Sequence, residues 1–505
     1  MMFSKDKLRV ILIKPSKYAE DGSVERFWRG FIPNSTLSYM YSMTLAYIEE
    51  TGANIELFAV DEYVQDDLDY LQLLEQRDSQ TLVALVGVQS HQFHRALDLA
   101  ALARKHGAHA VIGGPHTMTC DTTMIQNRGV SFALAEAELI WETILRDATR
   151  GELQPVYGRN QRWQRELDSP VIRPQESDLR RYICRMIGIY PARGCPFRCN
   201  FCSVIKISGR NIRSQTIETT MESLHEAKKA GVKLIAFTSD NFNKIPGVRD
   251  LIDTMIKEEI NLRFFVQCDT QIGDRDSYLI PLLAKAGCFQ MFVGVESFSR
   301  RILREAKKFQ NNPDRYVEII KLCDENKIAT HFSNIIGFPG DTEAGILEHL
   351  RMLRSLNPTL ASFYILTPIP GTEQYDDFRA KKLIFESNLD RFDATCPTWH
   401  HDVLSPKELR RLLFYCYRKA YSLRDLLRKN KLGMPGFMYW YLFSKFSAFK
   451  QTHPMAGGIR RIRLDHVDQY LSLREKTFGF DRAPLPDSLK LSPADEALNR
   501  QARLA

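Results

Sequence analysis

The sequence predicts an α/β protein with a doubly wound N-terminal domain, a partial (β/α)6 barrel and a mainly helical C-terminal region. Strand-length apolar runs alternate with helical segments through most of the chain, which is typical of parallel sheets covered by helices. A polar stretch punctuated by prolines, residues 151–183, divides this alternation into two series. With 505 residues, the chain is also too long for one ordinary hydrophobic core.

The first series predicts a parallel sheet whose ligands bind beyond the carboxyl ends of the strands. Its apolar runs are continuous rather than alternating, as expected for strands buried on both faces. Its helices show the 3.6-residue period, and glycines follow two of them. The predicted strands are Val10–Lys14, Ile55–Val60, Leu82–Val88, Ala110–Ile112 and Phe132–Leu134, and the predicted helices are Ser38–Thr51, Arg95–His106 and Glu138–Thr149.

The second series begins at Met186 and predicts six βα units, hence a partial barrel with its chemistry at the strand C-termini. The predicted strands are Gly188–Ala192, Leu234–Thr238, Phe264–Cys268, Met291–Glu296, His331–Ile336 and Ser362–Leu366. We therefore expect domains at 1–150 and 184–375, a linker at 151–183, and a helical region with a surface tail at 376–505.

Composition and charge limit the function classes. The chain is 44% hydrophobic and 26% charged, with a net charge of +8, which fits a soluble globular protein and does not indicate a nucleic-acid partner. No apolar stretch reaches the roughly 18–20 residues needed to span a bilayer, and no export signal is evident. The ten cysteines therefore predict a reducing, cytoplasmic location, where clustered thiols bind metals or act in catalysis.

A short loop after the first barrel strand carries three cysteines, Cys195, Cys199 and Cys202. A structural zinc site takes four ligands, and no fourth Cys or His follows at the usual spacing. An iron–sulfur cubane held by only three thiolates leaves one iron open for a small-molecule chelator. A zinc loop or three incidental thiols remain the alternatives.

This cysteine spacing, with aromatic Phe201 before the third thiol, resembles the radical S-adenosylmethionine superfamily. The resemblance implies a [4Fe–4S] cluster on the three cysteines and S-adenosylmethionine chelated to the open iron. It further implies a 5′-deoxyadenosyl radical and a flavodoxin- or ferredoxin-type reductant. Residues that match the superfamily's S-adenosylmethionine-binding positions, or could serve beside them, are Phe201, Ser239, Asp240, Asn241, Gln267, Glu296, Gly337 and Gly340. Strand-end turns, and a structural role for Gln267, are the competing interpretations.

The N-terminal series, which precedes this barrel in the chain, resembles the Rossmann-like, cobalamin-binding domain of radical enzymes that include anaerobic porphyrin cyclases, hopanoid methylases and C-methyltransferases. The resemblance covers roughly residues 8–425 and implies cobalamin as a further cofactor. One departure matters, because the Asp-x-His-x-x-Gly motif that supplies an axial histidine is absent. The residues expected to face the nucleotide tail are Gln89, Ser90, Gly113, Gly114 and His116.

The resemblance implies cobalamin-dependent C-methylation of an unactivated carbon on an apolar substrate, lipid or tetrapyrrole-like. A radical cyclase or another C–C bond-forming enzyme is the alternative, and a non-catalytic sensor is a distant third. An aromatic segment at 437–449, flanked by lysines, could contact a membrane surface or simply pack on the barrel. The catalytic residues are unknown, and of the isolated cysteines we would test only Cys396.

Overall fold

The structure is a computed structural model that describes residues 7–19, 24–27, 29–30, 32–65, 68–76, 78–174, 179–421 and 473–477. The aromatic segment at 437–449 and the expected tail lie outside the described residues, so the predictions for them stay predictions. Within the described residues, no helix is both long and apolar enough to cross a bilayer.

The first sheet is parallel throughout and has the strand order β2-β1-β3-β4-β5-β6. The chain reverses direction across the sheet between β1 and β3, and doubly wound sheets bind ligands at such a switch point. The doubly wound prediction is therefore confirmed, with one short strand, β6, added inside the expected linker. The strands are β1 Leu8–Lys14, β2 Ile55–Asp61, β3 Gln80–Leu85, β4 His109–Gly113, β5 Ser131–Ala133 and β6 Val156–Tyr157.

Helices cover both faces of this sheet. The first helix begins where the Asn34 side chain accepts a hydrogen bond from the Leu37 amide and ends at Gly52, whose φ of 67° suits a glycine. The helices Ser35–Thr51 and Ala137–Arg150 pack on one face of the sheet, and the helix Phe93–Lys105 packs on the other. The helices of this part are Ser35–Thr51, Leu68–Glu75, Phe93–Lys105, Pro115–Thr119 and Ala137–Arg150.

The second sheet has six parallel strands in the order β14-β13-β12-β11-β10-β7, so each pairs with its neighbour along the chain. This is the arrangement of a partial βα barrel, as predicted. A two-stranded antiparallel hairpin, β8–β9, stands beside it. The strands are β7 Met186–Ile189, β8 Ala192–Arg193, β9 Arg213–Ser214, β10 Leu234–Phe237, β11 Arg263–Cys268, β12 Cys288–Glu296, β13 Ala329–Ile336 and β14 Leu360–Ile365.

The predicted first barrel strand, Gly188–Ala192, is wrong at its end. The barrel strand stops at Ile189, and Ala192 already belongs to the hairpin. Pro191 separates the two, since it has no backbone N–H to continue a sheet ladder. The chain therefore leaves the barrel three residues before the expected point and enters the cysteine loop from a separate hairpin.

Helices alternate with the barrel strands, and the last of them, Pro406–Ala420, packs beside β14 at the edge of the sheet. That helix begins with a capping box, in which Ser405 and Glu408 bond to each other's backbone amides. The helices are Val204–Ile207, Ile217–Lys229, Val248–Lys257, Leu279–Ala286, Arg300–Glu305, Tyr316–Glu325, Glu343–Leu356, Glu373–Ala380 and Pro406–Ala420.

Candidate functional site

The hairpin β8–β9 holds the ends of the cysteine loop together. Gly194 has a φ of +106°, and a Cβ on it would lie 2.3 Å from the carbonyl oxygen of Asn211. The Cys195 amide donates to the Gly209 carbonyl at 3.2 Å. Only glycine fits at the turn into the loop, so the Gly-Cys pair of the motif is explained by backbone packing.

The three thiols lie in one partly enclosed loop. Burial raises the pKa of Cys195 to about 11 and that of Cys202 to about 12. Asn241 Nδ2 lies 2.9 Å from Cys195 Sγ and donates to it, and Gln310 Nε2 donates to Cys199 Sγ at 3.6 Å. Amide donors of this kind stabilise cluster-bound thiolates and tune their potential.

The donor set of the loop suits a [4Fe–4S] cluster. A cubane binds its thiolates at separate irons, and three cysteines leave one iron open. The side-chain amides beside Cys195 and Cys199 are donors of the kind that cluster-bound thiolates accept. Within the described residues, no group of three His, Cys, Asp or Glu side chains that could hold a single metal ion is present.

Two of the predicted S-adenosylmethionine residues after β10 fasten the cysteine loop to the barrel. Ser239 Oγ accepts from the Ala192 amide at 3.0 Å and donates to its carbonyl at 2.8 Å. The Asp240 carboxylate accepts from the Gly194 amide at 3.1 Å, and burial raises its pKa. Contacts from Ser239 or Asp240 to S-adenosylmethionine stay predictions, while Asn241 contacts a thiol directly.

Glu296, at the end of β12, lies beside the cysteine loop and is paired with a lysine that the sequence analysis missed. Lys308 Nζ donates to Glu296 Oε1 at 2.8 Å, and Ser333 Oγ donates to Oε2 at 3.2 Å. Burial alone would lower the pKa of Lys308, but the charges of Glu296, Cys199 and Cys202 raise it. Lys308 therefore brings a buried positive charge to the thiols.

The glycine before Glu296 makes room for this pair. A Cβ at Gly294 would lie 2.7 Å from Glu296 Oε1 and 3.0 Å from Lys308 Nζ. Lys308 also lies 5.8 Å from the ring centroid of Phe201, the aromatic residue before the third cysteine. The Gly-Val-Glu motif and Phe201 are thus parts of one buried cluster around an ammonium group.

The glycine motif after β13 forms a tight turn over the same end of the barrel. The Asp341 carboxylate accepts hydrogen bonds from the amides of Gly337 and Phe338 at 2.9 and 3.0 Å. Gly337 and Gly340 both have a φ of 76°. Phe338 packs edge-on against Phe201, with the ring centroids 6.0 Å apart, so the turn contacts the cysteine loop.

Gln267 lies half-buried on β11, where its strand partner is Phe292. It is one strand away from Glu296 in the sheet order. Its role as a ligand or as a structural glutamine stays a prediction.

The residues that we expect to face a nucleotide tail lie together after β3 and β4, but they differ in how deeply they are buried. Gln89 is exposed, whereas Ser90 and His116 are buried and bonded to each other at 3.1 Å through Oγ and Nδ1. The His116 ring packs against the Phe93 ring with the centroids 4.0 Å apart and the planes tilted by 33°, and burial lowers the pKa of His116 to about 3. The imidazole is therefore neutral and engaged inside the domain.

Gly113 and Gly114 have a structural reason to be glycine. Gly114 has a φ of 140°, and a Cβ on it would lie 2.1 Å from the Val88 amide nitrogen. At Gly113 an added Cβ would approach Ala133 Cβ to 3.1 Å. Close packing between neighbouring loops accounts for the pair, while access for a ligand tail stays a prediction.

A cavity of about 240 Å³ enters the first domain beside these glycines. It lies between strands β3–β5 and the helices Ser35–Thr51 and Ala137–Arg150. Its lining includes small residues at the carboxyl ends of the strands, and also Arg193 and Asp240, which belong to the barrel part. The cavity therefore borders on the turn into the cysteine loop.

A buried ionic network joins the two parts of the chain beside that cavity. Arg193, directly before the Gly-Cys turn, pairs with Glu138 at 2.6 Å and with Glu136 at 3.4 Å. Arg213 of β9 pairs with Glu136 at 2.7 Å. Burial would raise the pKa of Glu138, but Arg193 lowers it. These ion pairs hold the hairpin against the first domain, and they were not predicted from the sequence.

The parallel partial barrel and its three-cysteine loop are features of radical S-adenosylmethionine enzymes, the class of proteins that binds a [4Fe–4S] cluster and S-adenosylmethionine. In agreement, residues 189–353 match the family model described as the Radical SAM superfamily.

The chain is also similar to curated proteins and to a solved structure along much of its length. The chain is 24% identical over 428 residues to the bacteriochlorophyllide d C-8(2)-methyltransferase of Chlorobaculum tepidum, covering 80% of this chain and 91% of that protein. It is 24% identical over 241 residues to the anaerobic magnesium-protoporphyrin IX monomethyl ester cyclase of Rubrivivax gelatinosus, covering 47% and 42%. The structure of TsrM, a radical S-adenosylmethionine methyltransferase from Kitasatospora setae with cobalamin and a [4Fe–4S] cluster bound, matches with a TM-score of 0.64 at 15% identity, covering 93% of this chain and 99% of that one. The TsrM likeness shows the same fold along nearly the whole chain.

Proposed function

We propose that this radical S-adenosylmethionine enzyme is a cobalamin-dependent C-methyltransferase acting on an unactivated carbon of an apolar small molecule, lipid or tetrapyrrole-like. One observation carries the proposal. The cavity of the first domain is lined in part by Arg193 and Asp240, and these residues adjoin or bind the turn into the cysteine loop. A ligand held by the first domain and a cluster held by the loop would therefore share one wall.

The residues present fit cobalamin through its tail rather than through an axial histidine. Ser90 and Gly113 lie at the carboxyl edge of the first sheet, where doubly wound folds bind ligands. The His116 imidazole is bonded to Ser90 and packed on Phe93, which agrees with the missing axial-histidine motif. When bound, cobalamin supplies the carrier for the methyl group, and the chain supplies binding, orientation and exclusion of water.

At the cluster, the chain's own groups have separate tasks. The three cysteines bind the cluster, and Asn241 and Gln310 direct amide protons at two of the thiolate sulfurs. Lys308 holds the Glu296 carboxylate in a fixed orientation, so that it can accept a hydrogen bond from the ribose of S-adenosylmethionine. Asn241 follows β10 and Glu296 ends β12, while Lys308 and Gln310 lie in the segment after the helix Arg300–Glu305.

A radical cyclase or another C–C bond-forming enzyme is the second candidate. It is favoured by the likeness to the magnesium-protoporphyrin cyclase, although that likeness covers less than half of this chain. We infer a flavodoxin- or ferredoxin-type reductant for either reaction. We also infer the domain division 1–150, 184–375 and 376–505. Contact of the segment at 437–449 with a membrane surface belongs to the same proposal.

The test uses anaerobically reconstituted full-length protein. We expect one [4Fe–4S] cluster and close to one cobalamin per chain, and transfer of deuterated methyl groups from labelled S-adenosylmethionine to a tetrapyrrole or lipid acceptor. Bound cobalamin without methyl transfer to any acceptor, together with a cyclised or coupled product, would favour the second candidate. Protein that keeps its cluster but does not cleave S-adenosylmethionine would instead indicate a sensor.

A further inference from the structure

The side chain of Phe309 is exposed beside the cysteine loop. At 71% exposure it is the most exposed large hydrophobic side chain in the described part of the chain. Its two neighbours in sequence both approach the loop. Lys308 Nζ lies 5.8 Å from the Phe201 ring centroid, and Gln310 Nε2 donates to Cys199 Sγ. The exposed ring therefore stands one residue away from a direct contact with a thiol of the cluster motif.

The segment that carries this phenylalanine is fastened to the cysteine loop. The Asn200 amide donates to the Ala306 carbonyl at 3.2 Å, and Asn200 Nδ2 donates to the Glu305 carbonyl at 3.1 Å. Because the two segments are bonded to each other, their exposed residues lie on neighbouring parts of the protein surface. The exposed residues of segments 196–210 and 304–310 are here called the loop face.

The cysteine-loop side of this face carries positive charge alone. Its exposed charged residues are Arg198, Lys206 and Arg210, and the sequence from 193 to 213 contains no Asp or Glu. The Arg210 guanidinium donates to the Pro196 carbonyl at 3.0 Å, so it lies across the loop. Among the described residues, none of these three cations has a carboxylate within ion-pair distance.

The carboxylates on the other side of the loop face are paired. Glu305 lies 2.9 Å from Arg301, and Glu373, at the edge of the face, is paired with Lys307. Arg304 is exposed and adds a further cation. The loop face thus presents a net positive charge together with one exposed aromatic ring. Aromatic and arginine side chains are enriched among the residues that dominate binding energy in protein interfaces.

We propose that the loop face is the docking surface for the protein that reduces the cluster, an electron-transfer protein whose contact surface is acidic and offers an apolar contact to Phe309. The inference rests on the proposed function and locates its reductant on this chain. In the step, one electron leaves the reduced flavin or iron–sulfur group of the donor and enters the cluster, and no covalent bond forms or breaks. Electron-transfer encounters need only a small interface, and complementary charge raises their association rate.

The experiment uses anaerobic full-length protein with its cluster, and two purified donors, a flavodoxin in the hydroquinone form and a reduced ferredoxin. The equilibrium affinity for each oxidised donor is measured by titration calorimetry. The rate of cluster reduction is measured by stopped-flow absorbance at several salt concentrations. We expect the affinity and the rate to fall as ionic strength rises, because salt screens exposed charges. Reduction by excess dithionite, which needs no docking surface, checks that each variant keeps a reducible cluster.

Replacing the exposed ring tests the apolar contact. Phe309→Ala should weaken donor binding roughly tenfold, as expected for the loss of an aromatic anchor, and should slow reduction at low donor concentration by a similar factor. Tyr278→Ala is the matched control, because Tyr278 is 53% exposed and precedes the helix Leu279–Ala286 of another βα unit. The control should leave affinity and rate unchanged.

Reversing one charge tests the electrostatic part. Arg198→Glu should slow reduction by the donors roughly three- to tenfold at low salt, and the difference should shrink as salt is added. Lys257→Glu makes the same change in net charge. Lys257 is exposed and ends the helix Val248–Lys257, which leads into β11, so it lies at the amino ends of the barrel strands. This control should match the unmodified protein.

The outcomes distinguish this inference from the proposed function. If donors reduce Phe309→Ala and Arg198→Glu as fast as the unmodified chain, or if the two control variants lose as much, the docking assignment is refuted. It is also refuted if dithionite reduces the unmodified protein but neither donor binds or reduces it. A chain that the donors reduce through this face, but that holds no cobalamin and transfers no methyl group, would contradict the proposed function alone.

Discussion

Replacing Lys308 by methionine tests the buried ion pair beside the cluster loop. Glu296 is 7% and Lys308 8% exposed, and their charged atoms are 2.8 Å apart. Without Lys308, the hydroxyl of Ser333, at 3.2 Å, is the side-chain donor that remains to the carboxylate among the described residues. Breaking a buried pair by removing one partner costs about 3–5 kcal/mol. We therefore expect Lys308→Met to lower the free energy of unfolding of the cluster-free barrel by roughly that amount.

The neighbouring residue supplies a matched control. Lys307 is ion-paired to Glu373, but both side chains are largely exposed, and such surface pairs contribute about 0–1 kcal/mol. Lys307→Met should therefore stay within about 1 kcal/mol of the unmodified protein. The measurement is urea denaturation, followed by circular dichroism, of cluster-free protein at one ionic strength.

A double variant distinguishes an ion pair from a simple packing loss. In Lys308→Met combined with Glu296→Gln, no buried charge is left unpaired, so much of the lost stability should return. The double variant should nevertheless bind S-adenosylmethionine weakly, because the carboxylate that would accept from ribose is gone. If Lys308→Met is as stable as Lys307→Met, the argument for a buried ion pair is refuted.

Three further predictions follow from the site and its supports. Replacing the three motif cysteines together by alanine should abolish both bound iron and S-adenosylmethionine cleavage; four irons per chain in that variant would contradict the cluster assignment. Gly114→Ala should destabilise the first domain by roughly 1–3 kcal/mol, because its Cβ would lie 2.1 Å from the Val88 amide at a φ of 140°; unchanged thermal unfolding would exclude that clash. His349 is buried on the helix Glu343–Leu356, and burial lowers its pKa from 6.5 to about 4. Above pH 6.5 the imidazole is neutral in both the folded and the unfolded chain. Below pH 6.5 the unfolded chain takes up a proton that the folded chain does not, so the free energy of unfolding falls with pH. His349→Gln should therefore remove up to roughly 3 kcal/mol of the acid-induced loss between pH 6.5 and 4, from about 1.4 kcal/mol per pH unit; an unchanged acid profile would show that the imidazole protonates freely in the fold.

Local patterns were sufficient to predict the sheets and the cluster loop. Continuous apolar runs mark parallel strands because such strands are buried on both faces, and all six barrel strands occur where the runs lie. Thiols spaced within eight residues can be recognised without a fold, because their chemistry depends on one loop. Two details differ from these predictions: the short strand β6 inside the expected linker, and the break after Ile189, which coincides with Pro191.

Long-range pairing was not predictable from such patterns. Lys307 and Lys308 are the same residue type at adjacent positions. Tertiary packing places Lys307 at the surface and makes Lys308 a buried partner of Glu296. Arg193 and Glu138 are 55 positions apart and form their ion pair across two parts of the chain. A single sequence carries no signal for either contact.

The Arg193 network fixes the cysteine loop against the first domain. The proposed methyl transfer needs both reacting centres held in a fixed relation, since a displacement of about 1 Å can cost a hundredfold in rate. The hairpin that carries the cysteine loop is bonded to Glu136 and Glu138, which lie at the start of the helix Ala137–Arg150 beside the cavity. Closely packed interiors have low compressibility and transmit strain. A shift of the cavity wall would therefore move the loop as well, so the protein itself sets the distance between the cysteine loop and the cavity.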